Sequence, residues 1–351
     1  MRERERERER ERVMEMLVSH GLCRGSVVPE AYVFSEEQRP TTVSTKRSIP
    51  IIDLEEGSED EVVKEILNAA KEYGVFKVIN HGIPEELIDD VISVAQEFFE
   101  MPVEDKAPYY SEDPTKDTRL FTGQGFRKEN IHFWRDCLIM SAYPVEKYEH
   151  QFPEKPDNLK RIMGKFVPEG RKLVRRLLEL ISKGLGLEED YLTGDISEGS
   201  MKMVFNYYPP CPDPSLTLGL PKHCDITLIN LLLQGNVSGL QVLHDDNWIS
   251  VDPLPNSFVV NFGLLLEVIS NGLLKAVEHR AVTNKNVART SIAMAIRSTD
   301  DCIICPAEVL VSEEHNPPVY RSFRFPDLFE VFSTKNADDK EIMMKDFRIK
   351  N

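Results

Sequence analysis

MKMVFNYYPPCP, residues 201–212, begins a stretch in which the character of the sequence changes. From Met201 to about Ser298, short runs rich in β-branched or aromatic residues alternate with Pro, Gly and Asn turns. Strands are predicted near residues 201–208, 226–233, 238–243, 257–262, 275–282 and 290–297. Several short strands at this spacing indicate an antiparallel sandwich or barrel.

The rest of the chain reads as helices with a few strands, so the content is mixed α/β. We predict strands at 49–54, 75–79 and 133–141, helices at 60–73, 84–100 and 156–184, and terminal helices within 320–351. We divide the chain into a charged, mobile tail and arm (1–47), an N-terminal helix and strand region (48–150), a helical connection (151–198), a β-rich core (199–300) and a C-terminal helical segment (301–351).

Charge and hydropathy restrict the partners that we expect. Asp and Glu number 59 against 43 Lys and Arg, which gives a net charge of −16. Such a field repels phosphate backbones and anionic membranes, so no nucleic-acid or membrane partner is expected. No run approaches 18 apolar residues, so no membrane span is predicted. Nothing requires an oligomer, and we expect a monomer.

The N-terminus and the cysteines bear on location. Arg and Glu alternate from Arg2 to Arg12 without a following apolar segment, which is typical of a solvated tail and not of a signal peptide. The six cysteines, at 23, 137, 211, 224, 302 and 305, form no small-domain disulfide framework. We therefore expect a reducing compartment and a cytoplasmic protein.

Within the β-rich region, His223-Cys224-Asp225 is the first candidate for chemistry. On an extended segment alternate side chains share a face, so His223 and Asp225 are predicted to point together and Cys224 away. A lone HxD occurs often by chance, and alone it is weak evidence of a metal site.

His279, in a later predicted strand, supplies a third ligand. Two histidines and one carboxylate on one face of an iron ion leave adjacent positions open, as in non-haem sites that activate oxygen. A 2-oxo acid can fill two positions and O₂ the third. Arg289 can bind the distal carboxylate of such a cosubstrate through a bidentate fork, and Ser291 on the same face can donate another hydrogen bond.

The wider pattern resembles the plant 2-oxoglutarate/Fe(II)-dependent dioxygenases of specialised metabolism, with hyoscyamine 6-hydroxylase and flavanone 3-hydroxylase among them. The likeness extends from about residue 48 to 335. It is carried by Asn80-His81-Gly82, Asn206-Tyr207-Tyr208-Pro209-Pro210-Cys211-Pro212, Leu218-Gly219-Leu220, His223-x-Asp225, Gly239-Leu240-Gln241-Val242, Trp248, Ser270-Asn271-Gly272, His279-Arg280 and Arg289-x-Ser291.

This resemblance implies a double-stranded β-helix (jelly roll) core flanked by helices. It implies Fe(II), 2-oxoglutarate and O₂ as cofactor and cosubstrates, with stimulation by ascorbate, and Tyr208 and Asn206 as further 2-oxoglutarate contacts. The implied reaction couples decarboxylation of 2-oxoglutarate to succinate with hydroxylation, demethylation, desaturation or epoxidation. The substrate would be a small plant-type metabolite such as a phenolic, flavonoid, alkaloid or hormone.

Strand parity extends the site toward the substrate. It places Ala295 and Arg297 on the face of Arg289, and Val204 on the face of Asn206. Ile139 lies in the strand after Trp134, where related enzymes often carry aromatic or polar residues. We predict a small, largely apolar pocket with one cationic end at Arg297, suited to a carboxylate or phenolate.

Two other classes compete with this interpretation. A catalytically silent jelly-roll binding protein would keep the fold, although such relatives usually lose a metal ligand. A hydrolytic metal site would need a catalytic Glu or Asp, which no motif supplies. Leu264 follows Asn261-Phe262-Gly263 where most relatives have Asp, and this resembles the hyoscyamine 6-hydroxylase branch. That departure weakens the transfer of a flavonoid substrate.

Overall fold

The computed structural model describes residues 17–21, 23, 25–41, 43, 47–123, 131–334 and 339–349. The alternating Arg and Glu tail predicted at residues 2–12 lies outside these residues. Among the helices of the described ranges, none is both long and apolar enough to cross a bilayer.

The larger of two main sheets has eight strands. Numbered in chain order and given in spatial order, they are β1 (Ile51–Asp53), β2 (Val75–Ile79), β10 (Phe258–Phe262), β7 (Ile229–Leu233), β12 (Arg289–Ile296), β5 (Met201–Tyr208), β4 (Phe133–Tyr143) and β3 (Thr118–Gly123). Only β1 and β2 pair in parallel. The antiparallel arrangement explains the alternation of inward and outward residues, with one face toward the cavity.

The smaller sheet covers the inner face of the larger one. Its strands, in spatial order, are β6 (Leu220–His223), β11 (His279–Ala281), β8 (Leu240–His244) and β9 (Asn247–Val251). Leu232 and Val259 of the larger sheet share an apolar cluster with Val242 and Ile249 of the smaller one. The two sheets form the jelly-roll core that the family resemblance implied, which confirms that prediction. A separate ribbon joins β13 (Ile303–Ile304) to β14 (Phe323–Arg324).

The described ranges contain eight α-helices. In chain order they are α1 (Glu59–Glu72), α2 (Glu85–Glu100), α3 (Val103–Lys106), α4 (Val145–Tyr148), α5 (Leu159–Gly184), α6 (Leu264–Ile269), α7 (Phe325–Thr334) and α8 (Lys340–Met344). The three longest, α1, α2 and α5, pack on the outer face of the larger sheet. A capping box between Ser58 and Glu61 begins α1. Apolar residues of α1, α2 and α5 join one core cluster with outward-facing residues of the sheet such as Phe205 and Met294.

Several strands and helices lie where the local sequence pattern predicted them, and others do not. Strands β2 and β5 have the predicted bounds, and the long helix α5 begins at Leu159. Five strands, β3, β6, β9, β13 and β14, were not predicted. They are short or lack a regular alternation of polar and apolar residues, and the pairing with a neighbouring strand, not their own composition, holds them extended.

A buried carboxylate ties the C-terminal segment to the core. Glu267 of α6 is 4% exposed and accepts hydrogen bonds from the Tyr320 hydroxyl (2.9 Å) and the Ala276 backbone N–H (2.7 Å). The Lys340 ammonium lies 2.5 Å from the same carboxylate. Because the first turn of α6 also supports the segment that carries Asp225, this anchor helps to position a predicted metal ligand.

We predict that Glu267→Ala lowers the free energy of unfolding by about 3 kcal/mol, because it leaves buried donors and a charge without their partner. Urea unfolding followed by circular dichroism measures the change. Glu341→Ala is the matched control, since Glu341 pairs with Arg348 on the surface and its side chain is 65% exposed. Equal losses in the two variants would contradict the anchoring role of Glu267.

Candidate metal and cosubstrate site

Strand register brings together the two histidines of the predicted triad. His223 is the last residue of β6 and pairs directly with His279, the first residue of β11. Their ring centroids are 4.2 Å apart. One carboxylate oxygen of Asp225 lies 3.7 Å from the Nε2 atom of His223 and 3.8 Å from that of His279. These distances are too long for hydrogen bonds and leave room for an ion among the three atoms.

Backbone carbonyls set the orientation of both rings. The Nδ1 atom of His223 lies 2.9 Å from the Pro221 carbonyl oxygen, and that of His279 lies 3.2 Å from the Val277 oxygen. Each Nδ1 therefore carries the hydrogen, which leaves the Nε2 lone pairs directed at Asp225. In the described part of the chain, the Asp225 Oδ2 atom is buried without a hydrogen-bond partner. Two imidazoles and a carboxylate so arranged fit Fe(II).

The backbone around Asp225 is fixed by the start of α6. The Leu264 N–H donates to the Asp225 carbonyl oxygen (2.8 Å), and the Gly263 N–H donates to that of Leu228 (3.1 Å). A Cβ on Gly263 would lie 1.9 Å from the Thr227 carbonyl oxygen, so only glycine permits this docking. Leu264, the residue at which the sequence departs from the resemblance, is fully buried in the core and is not among the residues that line the cavity.

A buried guanidinium group faces the same cavity as the triad. Arg289 is 2% exposed, and its Nε donates to the Val237 carbonyl oxygen (3.2 Å). Its Nη1 lies 3.5 Å from the Ser291 hydroxyl, and its guanidinium carbon lies 5.0 Å from the centroid of the Tyr208 ring. Burial lowers the pKa of Arg289. Within the described ranges no carboxylate forms an ion pair with it, so an anion from outside is needed to neutralise it.

Two glycines make room for the residues at this end. A Cβ on Gly239 would lie 2.8 Å from the Cδ atom of Arg289, and one on Gly219 would lie 2.4 Å from the Tyr208 ring. Both glycines belong to motifs that carried the family resemblance. Their small size allows the arginine and the tyrosine to pack against the facing backbone.

Arg135 is a site residue that the sequence reasoning missed. It is 8% exposed, lines the cavity and donates from Nη1 to the Asn206 side-chain oxygen (3.0 Å). This bond directs the Asn206 amide nitrogen, a donor, toward the cavity. Arg135 and Ile139 are four residues apart on β4 and so share a face, which means that parity counted from Ile139 would have found Arg135.

The predicted residues lie around one cavity of about 260 Å³. Its lining includes the triad, the four predicted cosubstrate residues and three of the four predicted substrate residues: His223, Asp225, His279, Arg289, Ser291, Tyr208, Asn206, Ile139, Val204 and Ala295. Arg297 instead lines an outer continuation of the cavity. Its guanidinium binds Asp300 and Ser200 and lies 4.6 Å from the Phe325 ring centroid.

Comparison with protein families agrees with this geometry. Residues 199–298 match the 2OG-Fe(II) oxygenase superfamily, and residues 49–159 match the family described as non-haem dioxygenase in morphine synthesis N-terminal. Similar curated proteins include the 2'-deoxymugineic-acid 2'-dioxygenase of Hordeum vulgare, 44% identical over 87% of this chain and 90% of that protein. Protein DOWNY MILDEW RESISTANCE 6 of Arabidopsis thaliana is 40% identical over 93% of this chain and 97% of that protein.

Solved structures give the same result. A crystal structure of JOX2 in complex with 2OG, Fe and JA superposes with a TM-score of 0.85 at 33% identity, over 94% of this chain and 97% of that one. The binary complex of 2-oxoglutarate with the Arabidopsis thaliana dioxygenase for auxin oxidation 1 gives 0.66 at 26% identity, over 76% and 99%.

These matches confirm Fe(II) and 2-oxoglutarate as the cofactor and cosubstrate, and they give no support to the silent binding protein considered above. The matches to relatives named as dioxygenases extend over most of each relative and most of this chain. The chain therefore belongs to the 2OG-Fe(II) oxygenase superfamily and is a 2-oxoglutarate-dependent dioxygenase of the plant type that acts on small metabolites.

Proposed function

We propose that His223, Asp225 and His279 hold the Fe(II) of this dioxygenase and that Arg289 and Ser291 anchor its 2-oxoglutarate. One observation carries the proposal: a buried cation without an acidic partner in the described ranges faces the same cavity as three converging metal-ligand atoms. A dicarboxylate can bind the metal through one end and pair with the Arg289 guanidinium through the other.

The chain's own residues then act by positioning. The carbonyl oxygens of Pro221 and Val277 hold the imidazoles in the tautomer that presents Nε2 to the metal. The Arg289 fork and the Ser291 hydroxyl fix the distal carboxylate, and Tyr208 flanks the same pocket. Asn206, oriented by Arg135, donates from its amide to the cosubstrate.

When bound, Fe(II), 2-oxoglutarate and O₂ supply the oxidising power, and the cosubstrate leaves as succinate and CO₂. Ile139, Val204 and Ala295 form an apolar wall that excludes water from the reacting substrate. The apolar wall determines which bond of the substrate lies next to the metal site. That bond decides whether the outcome is hydroxylation, demethylation, desaturation or epoxidation. As substrate we propose a phenolic, flavonoid, alkaloid or hormone.

We further propose a monomer in the cytoplasm, stimulated by ascorbate. Cys137, Cys211 and Cys224 are buried thiols that form no disulfide, which supports a reducing compartment. Size-exclusion chromatography with light scattering tests the monomer, and imaging of a fluorescent fusion tests the location.

Anaerobic addition of Fe(II) and 2-oxoglutarate is expected to produce a weak visible charge-transfer band, because the cosubstrate coordinates the metal through two oxygens. Absorbance titration should show the band lost in His279→Ala, which removes a ligand, and in Arg289→Ala, which removes the anchor. His315→Ala is the matched control, since that side chain is 79% exposed. A folded protein without the band would overturn the proposal.

Adding a methyl group at Gly239 or Gly219 is expected to weaken 2-oxoglutarate binding, because it displaces Arg289 or Tyr208 from its packed position. We expect Gly239→Ala and Gly219→Ala to raise the Kd for 2-oxoglutarate by about tenfold, the loss of roughly one charge-assisted contact. Calorimetric titration with Mn(II) in place of Fe(II) measures it. Gly194→Ala, whose Cβ meets no atom within 4 Å, should leave the Kd unchanged.

Arg135→Met is expected to raise the Kd for 2-oxoglutarate severalfold, since it frees the Asn206 amide to rotate and offer its oxygen to the carboxylate. Asn206→Leu should raise it as well. Because one residue acts through the other, the double variant should bind 2-oxoglutarate no more weakly than Asn206→Leu alone. Fully additive losses would show that Arg135 acts on the cosubstrate independently of Asn206.

A further inference from the structure

Several charged side chains line the cavity beyond the metal site. The basic residues Lys116, Arg119, Lys202 and Arg297 and the acidic residues Asp117 and Asp300 border a part of it that we call the outer chamber. The apolar side chains of Ile139, Val204, Ala295 and Phe332 line both the outer chamber and the cavity that contains the triad. A molecule that lies against these apolar residues therefore reaches the metal site at one end and the basic residues at the other.

The strand register explains why these groups converge. Arg119 of β3 pairs with Ile139 of β4, and Ile139 pairs with Val204 of β5, so the three side chains share one inward-facing row. Lys202 precedes Val204 by two residues on β5, so it also faces inward, and it pairs with Ala295. Arg119 and Lys202 therefore belong to the inner face of the sheet rather than to its solvent side.

Two acidic residues lie near these cations, and one of them, Asp117, also lines the chamber. Asp117, 42% exposed, is 3.6 Å from the Lys202 ammonium, which also donates to the Ser141 hydroxyl (2.7 Å). Burial lowers the pKa of Arg119, and the attraction of the exposed Asp113 opposes part of that effect. Arg119 itself is 5% exposed, with its guanidinium carbon 4.0 Å from the Phe121 ring centroid. Four basic groups and two carboxylates thus line the chamber, which leaves it with a net positive charge.

Electrostatic effects agree with this geometry. Burial lowers the pKa of Lys202, and repulsion from Arg297 and Arg119 lowers it further, against the attraction of Asp117. Burial likewise lowers the pKa of Arg119, and repulsion from Arg135 adds to the effect. An anion in the outer chamber would relieve both repulsions and offset the cost of burying the charges.

Arg297 is held at the edge of the chamber by close contacts of its own. Its guanidinium is bound to Asp300, donates to the Ser200 hydroxyl (2.9 Å) and lies against the Phe325 ring. The cationic end that parity assigned to Arg297 is therefore better supplied by Arg119 and Lys202. Arg297 adds to the positive field at the rim.

We propose that the substrate is a small apolar carboxylic acid whose carboxylate binds between Arg119 and Lys202, an inference that rests on the proposed metal and cosubstrate site. A planar carboxylate can accept from the guanidinium through one oxygen and from the ammonium through the other. The wall of Ile139, Val204 and Ala295 takes the apolar body. The carbon that faces the metal belongs to that apolar part and not to the acid group.

Matched pairs of acids and amides test the proposal. The protein is loaded anaerobically with Mn(II) and excess 2-oxoglutarate, so that Arg289 is occupied. Binding of 3-phenylpropionate and hexanoate, each against its primary amide, is then followed by paramagnetic relaxation of the ligand protons. We expect the acids to bind about tenfold more tightly than the amides, the worth of one charge-assisted contact. The protons farthest from the carboxylate should relax fastest.

Arg119→Met and Lys202→Met should each abolish the preference for the acid. Arg175→Met is the matched control, since it removes an arginine of α5 that is 67% exposed and pairs with Glu179. If burial makes Arg119→Met unstable, Lys202→Met decides, because its side chain is 31% exposed. Equal binding of acids and amides, or an acid preference that survives both substitutions, would overturn the proposal.

The same samples separate this proposal from the one on which it rests. With Fe(II) in place of Mn(II), the charge-transfer band reports metal and cosubstrate binding in every variant. If the unsubstituted protein shows the charge-transfer band but binds acids no better than amides, the carboxylate site is refuted and the metal and cosubstrate site stands. Absence of the band in the unsubstituted protein refutes the metal and cosubstrate site instead.

Discussion

The burial of Arg289 is the constraint on which the site depends. A guanidinium group at 2% exposure, with no acid of the described ranges to pair with it, is unfavourable until an anion binds. The fold supports that position through the Val237 carbonyl, the Ser291 hydroxyl and the space left by Gly239. The same cavity holds the three metal-ligand atoms, so one dicarboxylate can contact both.

The metal end is fixed by backbone contacts and needs few side chains. His223 and His279 face each other because β6 and β11 pair in that register, and backbone carbonyls orient their rings. Asp225 is placed by the docking of its segment on the first turn of α6, which requires Gly263. Glu267 in turn fastens α6 to the C-terminal segment. Substitutions far from the metal can therefore affect its ligands.

Much of this arrangement follows from local sequence pattern. Alternation placed Asn206 with Tyr208 on one face of β5 and Arg289 with Ser291 on one face of β12, and the family resemblance joined the two pairs. The structure has all four lining the cavity. The same parity would have included Lys202. Local pattern failed at β3, an edge strand, because Thr118–Gly123 has no regular alternation of polar and apolar residues that would predict a strand.

The convergence of Arg119 with Lys202 could not be read from one sequence for a physical reason. It depends on the register between β3, β4 and β5, which long-range pairing sets, and the residues concerned are far apart in the chain. The pairing of Arg297 with Asp300 likewise depends on how the chain turns after β12. Parity identifies the face on which a side chain lies, whereas partners across the sheet decide what it can bind.

A crystal structure of the protein with Mn(II) and 2-oxoglutarate tests the central claim most directly. The account predicts a metal ion about 2.1 Å from the Nε2 atoms of His223 and His279 and from a carboxylate oxygen of Asp225. It also predicts the distal carboxylate of the cosubstrate on the Arg289 guanidinium. A metal bound elsewhere, or a cosubstrate whose distal carboxylate lies away from Arg289, would contradict it.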